Sequence, residues 1–240
     1  MGPGLDLDRT IVVDVFTLLW FLAAWVGYTR FAKRRSATEI CLASVMHMYR
    51  REWMTQMMYR DNRMQDMSAI STLERNVSFF ASSALIILAG ILTLLGYIDQ
   101  AIVLFRDLPL AAEQSRLQWE AKIFLLVVIF VYAFFKFTWS LRQVGFAAVL
   151  IGAAPDANGE AVGEEEVRQT SERAARVVSM AAHHFNFCIR SYYFALAVLA
   201  WFVSPWLFVA ATALVVYVLY RREFRSSALA TLMSSRSGPV

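Results

Sequence analysis

Long apolar stretches alternate with polar segments along the chain, and their lengths predict membrane-spanning helices. A span needs about 20 mostly apolar residues at a rise of about 1.5 Å each. Five stretches meet or nearly meet this length: residues 11–31, 77–98, 119–151, 180–203 and 205–220. We therefore predict an all-α polytopic membrane protein with about five transmembrane helices, forming a single integral membrane domain over residues 1–240.

The polar segments predict two pieces outside the membrane. Between residues 36 and 73, apolar side chains recur at steps of three and four, which indicates an amphipathic helix on the cytoplasmic side. Four side chains of its apolar face are the predicted contacts with the membrane surface or a partner: Met46, Tyr49, Trp53 and Met57. Residues 155–175 contain glycines and a run of glutamates, and predict a cytoplasmic linker.

Composition agrees with a membrane protein and disfavours a soluble enzyme. Hydrophobic residues make up 58% of the chain and charged residues only 18%, with a mean hydropathy of +0.49. A soluble domain carries about a quarter charged residues. The net charge of +4 does not indicate nucleic acid, because the basic residues lie beside apolar runs. Two cysteines form no disulfide framework and have no metal-site spacing.

The distribution of Lys and Arg predicts the orientation. Sixteen lie in the segments on one side of the five stretches and three on the other. Because basic residues accumulate on the cytoplasmic side, we predict an inner (plasma) membrane protein with its amino terminus outside and its carboxyl terminus in the cytoplasm.

Polar side chains within the predicted spans are costly there, so they are candidate functional residues. They are Arg75, Asn76, Ser78 and Ser82 on the second span, Lys136, Ser140, Arg142 and Gln143 on the third, and His183, Asn186 and Arg190 on the fourth. Most of them follow one face of their helix. Together they predict a basic vestibule, open to the cytoplasm, for anions or anionic lipid headgroups. The alternative is that the long basic side chains only reach up to the headgroups.

No catalytic constellation accompanies these residues. The sequence has no glycine-rich phosphate loop, no HExxH motif, no nucleophile elbow and no carboxylate pair within a span. We therefore expect no enzyme activity, no metal and no cofactor.

Three segments resemble the motifs of an uncharacterised membrane family, domain of unknown function 599 (DUF599). They are residues 75–82 (RNVSFFAS), 136–143 (KFTWSLRQ) and 190–194 (RSYYF), the last leading through Trp201 to Pro205. Their order along the chain is that of the family, and Trp53 fits its layout. After residue 143 the chain continues Val144-Gly145, where the family has a more polar, aromatic stretch. The resemblance implies an inner-membrane helical protein and no established activity.

Two functions follow as expectations. The first is an oligomeric channel or transporter-like protein, a homo-oligomer in contact with anionic lipids, that uses the basic vestibule. The second is an accessory or scaffold subunit that binds lipid or a membrane complex through the Met-rich amphipathic helix. Neither expectation includes a nucleic-acid partner.

Overall fold

The computed structural model describes residues 3–36, 38–106, 114–159 and 162–234. Within these ranges the protein is all-α, as the sequence predicts, and contains no strand. The helices are α1 (Pro3–Arg35), α2 (Leu42–Met58), α3 (Met64–Leu95), α4 (Ile98–Arg106), α5 (Arg116–Gly152), α6 (Glu164–Trp201), α7 (Pro205–Phe224) and α8 (Ser227–Ser234).

The helices form two compact units. The first unit contains Met1–Glu39, Ala84–Tyr132 and Arg190–Arg222, and the second contains Ile40–Ser83, Ala133–Ile189 and Glu223–Val240. Helices α3, α5 and α6 each contribute residues to both units. This is why no linker-like segment in the sequence separates the two.

Three helices are long and apolar enough to cross a membrane: Thr10–Arg35, Met64–Leu95 and Arg116–Gly152. Many of their large apolar side chains are exposed, including Phe79 (66%), Ile86 (73%) and Phe124 (67%). Such a surface suits lipid rather than water. The helices therefore indicate a membrane protein. The predicted count of five spans is not confirmed. Helix α6 carries charged residues through its first half, and the last turn of α7 holds Arg221 and Arg222.

The predicted cytoplasmic helix over residues 36–73 is two helices. It is interrupted between Met58 and Met64, and Ala37 lies outside the described residues. The side-chain oxygen of Asn62 accepts a hydrogen bond from the N–H of Met64 at 2.9 Å, which satisfies a free donor at the start of α3. From there α3 continues without a break to Leu95. Residues 64–73 are therefore the first turns of an apolar helix and not a separate surface element.

The predicted linker over residues 155–175 is shorter than expected, since α6 begins at Glu164. Negative side chains favour the amino-terminal end of a helix, and the first turn of α6 holds three glutamates. Arg168 then pairs with Glu165 at 2.7 Å and with Glu172 at 3.4 Å, spacings that stabilise a helix. Residues 160 and 161 lie outside the described residues.

Aromatic side chains form the core of the first unit. Phe21, which is fully buried, has its ring 5.1 Å from Phe208, and Trp25 stacks on Phe194 at 5.2 Å. Trp201 stacks on Phe208, with the two ring centres 4.7 Å apart. Helices α1, α6 and α7 are therefore joined by ring contacts, which contribute beyond the apolar area that they bury.

Candidate functional site

The second unit contains a cavity of about 680 Å³ between α2, α3, α5 and α6. Most of the side chains that line it are apolar, among them Ile70, Val144 and Phe185. Its polar or part-polar lining residues are Tyr49, Arg50, Trp53, Thr72, Asn76, Ser140 and Asn186. An apolar pocket with a few polar groups is the usual form of a small-molecule site, and its volume lies in the usual range of about 300–1,000 Å³.

Several residues predicted from the sequence line this cavity. Asn76, Ser140 and Asn186 come from the predicted vestibule, whereas Met46, Tyr49 and Trp53 come from the predicted contact face of the amphipathic helix. The structure therefore brings together parts of two sets of residues that the sequence treats as separate.

Three polar groups of the cavity donate hydrogen bonds within the protein. The Tyr49 hydroxyl donates to the carbonyl of Leu232 at 3.0 Å, and the Trp53 indole N–H donates to Asp66 at 2.6 Å. Ser140 donates to the carbonyl of Ala181 at 2.7 Å. The donor hydrogens of these three groups are therefore used within the protein.

Met57 does not lie on a contact surface, and that prediction is wrong. Its side chain is fully buried, as are those of Met54 and Met58 on the same helix. Met46 is half-buried and lines the cavity. Met54, Met57 and Met58 therefore belong to the protein interior, where flexible thioethers fill irregular gaps.

The basic residues predicted for the vestibule do not line the cavity. Arg75 is exposed and donates to the hydroxyl of Thr72 at 3.3 Å, Arg142 is exposed, and Lys136 is half-buried. Arg190 belongs to the first unit, where its guanidinium carbon lies 5.6 Å from the centre of the Tyr28 ring. The basic side chain among the cavity's lining residues is Arg50 of α2, which was not among the predicted site residues.

The other predicted residues lie elsewhere. Ser78, Ser82 and His183 are exposed, and none of them is a lining residue of the cavity. Gln143 is buried, and its side-chain oxygen has no hydrogen-bond partner among the described residues.

The first unit contains a buried charged cluster that sequence reasoning missed. Lys122 is fully buried. Its ammonium group donates hydrogen bonds to the side-chain oxygen of Gln114 at 2.8 Å and to the carbonyl of Trp201 at 3.1 Å. The same group lies 3.9 Å from the carboxylate of Asp14. The Asp14 carboxylate accepts hydrogen bonds from the Trp201 indole at 2.7 Å and from Gln118 at 2.8 Å. Both charges thus have hydrogen-bond partners, as buried charges require.

This cluster also satisfies the carboxyl-terminal end of α6. The last carbonyls of a helix have no partner within it and carry partial negative charge. Lys122 binds the carbonyl of Trp201, and the Gln114 amide donates to the carbonyl of Phe202 at 3.1 Å. The cluster therefore joins α1, α5 and the end of α6 through hydrogen bonds.

A second buried carboxylate holds the connection between α2 and α3. Asp66 is 1% exposed, and its Oδ1 atom accepts hydrogen bonds from the Trp53 indole and from Arg60. Arg63 donates to the carbonyls of Ile151 at 3.2 Å and Pro155 at 2.6 Å. Arg63 thus stabilises the end of α5, and Asp66 fixes the position of Trp53 at the cavity wall.

His47 of α2 lies next to the cavity-lining residues in sequence and contacts α6. Its Nδ1 atom is 2.8 Å from the hydroxyl of Ser179. Burial lowers the pKa of His47, as do the positive charges of Arg51, Arg50 and Arg176. The unfolded chain, with a histidine pKa of about 6.5, therefore takes up this proton at a higher pH than the folded protein does.

We expect the free energy of unfolding to fall as the pH is lowered from about 7.5 to about 5.5, and His47→Gln to remove part of that fall. Ser179→Ala removes the hydroxyl but keeps burial and the arginines, and should retain most of it. Thermal unfolding of the three proteins across this pH range measures the effect. An identical pH profile for wild type and His47→Gln would contradict the assignment.

An all-α fold, with three helices able to cross a membrane, defines a class of helical membrane protein. Within that class, the family model described as "Protein of unknown function, DUF599" matches residues 16–228, most of the chain. The chain therefore belongs to the DUF599 family, as the three sequence motifs predict. Comparison with curated proteins found no match, and neither did comparison with solved structures.

Proposed function

We propose that this protein binds an amphiphilic lipid in the cavity of the second unit. The observation that carries the proposal is the cavity itself, which is about 680 Å³ and mostly apolar, with a small number of polar groups on its walls. An apolar lining favours a ligand with a hydrocarbon part, since burying apolar surface is the main favourable term in such binding.

This proposal develops the lipid-binding alternative from the sequence. The channel or transporter function has less support, because its predicted attractors Arg75, Lys136 and Arg142 are not lining residues of the cavity, and Arg190 belongs to the first unit. The proposed binding role needs neither a continuous pore nor a catalytic group.

We further propose five spans in an inner (plasma) membrane, with α6 and α7 as the fourth and fifth and with the amino terminus outside. The sixteen-to-three bias of basic residues supports this orientation. Reporter proteins that are active only in the cytoplasm, fused after Ser36, after Asp156 and at the carboxyl end, should all be active. An inactive reporter at any of the three sites would contradict the topology.

A cavity-filling substitution tests the proposed function. Ala69 is an exposed lining residue on α3, so Ala69→Trp should occupy cavity volume with little cost to folding. We expect about a tenfold loss of lipid affinity, equivalent to about 1.4 kcal/mol. Native mass spectrometry would count bound lipid after mixing the purified protein with equal amounts of phosphatidylcholine and phosphatidylglycerol that carry the same acyl chains.

Ser68→Trp is the matched control, because Ser68 is the exposed neighbour of Ala69 on α3 and does not line the cavity. It should bind lipid as the wild type does. Equal binding by wild type and Ala69→Trp, or no bound lipid in the wild type, would overturn the proposal. The same spectra give the number of 27.3 kDa chains per particle, which tests the homo-oligomer expected from the sequence.

A further inference from the structure

Arg50 differs from the other arginines of the α2–α3 region in its partners. Arg51 pairs with Glu172 at 3.3 Å, Arg60 pairs with Asp66, and Arg63 binds carbonyl oxygens at the end of α5. Arg50 forms no hydrogen bond or ion pair within the described part of the chain, yet it is half-buried and lines the cavity. A guanidinium offers five donors and keeps its charge at any physiological pH.

The surroundings of Arg50 make a missing partner costly. Burial lowers the pKa of Arg50, which means that its charge has lost part of its hydration. Charges that leave water are normally paired, and no carboxylate lies among the residues that line the cavity. A negatively charged group within the cavity would replace the lost hydration of Arg50 with charge-assisted hydrogen bonds.

Two further polar groups of the lining are available to the same ligand. The side chains of Asn76 and Asn186 have no hydrogen-bond partner within the described residues, unlike Tyr49, Trp53 and Ser140. Carboxamides both donate and accept hydrogen bonds. The cavity therefore presents one cation and two amides on walls that are otherwise mainly apolar.

We infer that the bound lipid is acidic, with a phosphate or carboxylate headgroup that accepts hydrogen bonds from Arg50 and with a hydrocarbon part against the apolar lining. This inference rests on the proposed function and names the class of ligand for that site. A free anion would satisfy Arg50 but leave the apolar walls uncovered, so the ligand is a lipid rather than inorganic phosphate. Asn76 and Asn186 supply hydrogen bonds to the polar part of the same molecule.

The test compares phosphatidylglycerol with phosphatidylcholine of identical acyl chains, each titrated into the purified protein and followed by native mass spectrometry. We expect wild type to bind phosphatidylglycerol about tenfold more tightly. Arg50→Gln should lose that preference and bind both lipids as weakly as wild type binds phosphatidylcholine, whereas Arg50→Lys should keep part of it. Arg51→Gln is the matched control, since Arg51 is the exposed neighbour and does not line the cavity.

Each result has one meaning. Equal affinity of wild type for the two lipids, or an unchanged preference in Arg50→Gln, would overturn the acidic-lipid assignment while leaving the cavity as a lipid site. Loss of the preference in Arg51→Gln to the same extent would also overturn it, because surface charge alone would then explain the selectivity. Displacement of phosphatidylglycerol by millimolar inorganic phosphate would show a free anion site instead of a lipid site. If Ala69→Trp has no effect on either lipid, the proposed function itself fails.

Discussion

Replacing Lys122 with methionine should lower the free energy of unfolding by about 3–5 kcal/mol, the usual cost of breaking a buried charged pair. The substitution leaves the Asp14 carboxylate without its cation, and leaves the Trp201 carbonyl and the Gln114 side chain without the ammonium donor. Unfolding by sodium dodecyl sulfate in mixed micelles measures the loss.

Two further variants make this result specific. In the double variant Asp14→Asn with Lys122→Met both charges are absent, so its stability should be partly restored relative to Lys122→Met alone. A double-mutant cycle measures this recovery as the coupling energy between the two residues. Arg116→Gln is the control on the same helix, because its ion pairs with Asp99 and Glu120 are exposed to solvent and their loss should change stability little. A Lys122→Met protein as stable as Arg116→Gln would show that the cluster does not hold the first unit together.

Replacing Asp66 with alanine should lower the free energy of unfolding by about 3 kcal/mol. One oxygen of this buried carboxylate accepts a hydrogen bond from the Trp53 indole and forms an ion pair with Arg60. Trp53 and Arg60 would both lose their partner. Since Trp53 lines the cavity, the variant should also bind lipid more weakly. Thermal unfolding gives the first effect and native mass spectrometry gives the second.

The controls separate the two partners of Asp66. Trp53→Phe keeps an aromatic ring but removes the indole N–H, and should cost less than Asp66→Ala. Asp61→Ala changes an exposed carboxylate in the same connection, and should stay within about 0.5 kcal/mol of wild type. If Asp61→Ala and Asp66→Ala melt at the same temperature, the buried carboxylate has no special part in joining α2 to α3.

The sequence predicts the helical class and three of its apolar helices well. A run of about 20 apolar residues forms a helix because a helix satisfies its backbone hydrogen bonds within one segment. It predicts the cavity only partly. Periodicity shows that Ser78 and Ser82 share a helix face with Arg75, but none of these three lines the cavity, whereas Thr72 and Asn76 do, although they are exposed as well. Lipid and protein interior are both apolar, so hydropathy does not distinguish the two directions.

The buried charged clusters were less predictable still. Asp14 and Lys122 lie in different apolar stretches, and Arg60 and Arg63 look in the sequence like a solvated flank of α2. The hydrogen bonds that define these clusters join residues that are far apart along the chain, such as Asp14 and Trp201. For Asp14 and Lys122 the local signal is a charged residue within an apolar stretch, which is a reason in itself to look for a partner.

The Asp14–Lys122 cluster also constrains how the protein can be assembled during synthesis. Asp14 and Trp201 lie 187 residues apart, so the hydrogen bond between them forms only after the ribosome has made most of the chain. Until α6 emerges, the nascent protein holds the Asp14 carboxylate and the Lys122 ammonium without the indole and the carbonyl that they bind in the finished fold. The packing around these two charges is thus completed late, and a chain truncated before residue 201 lacks the two contacts that Trp201 makes to them.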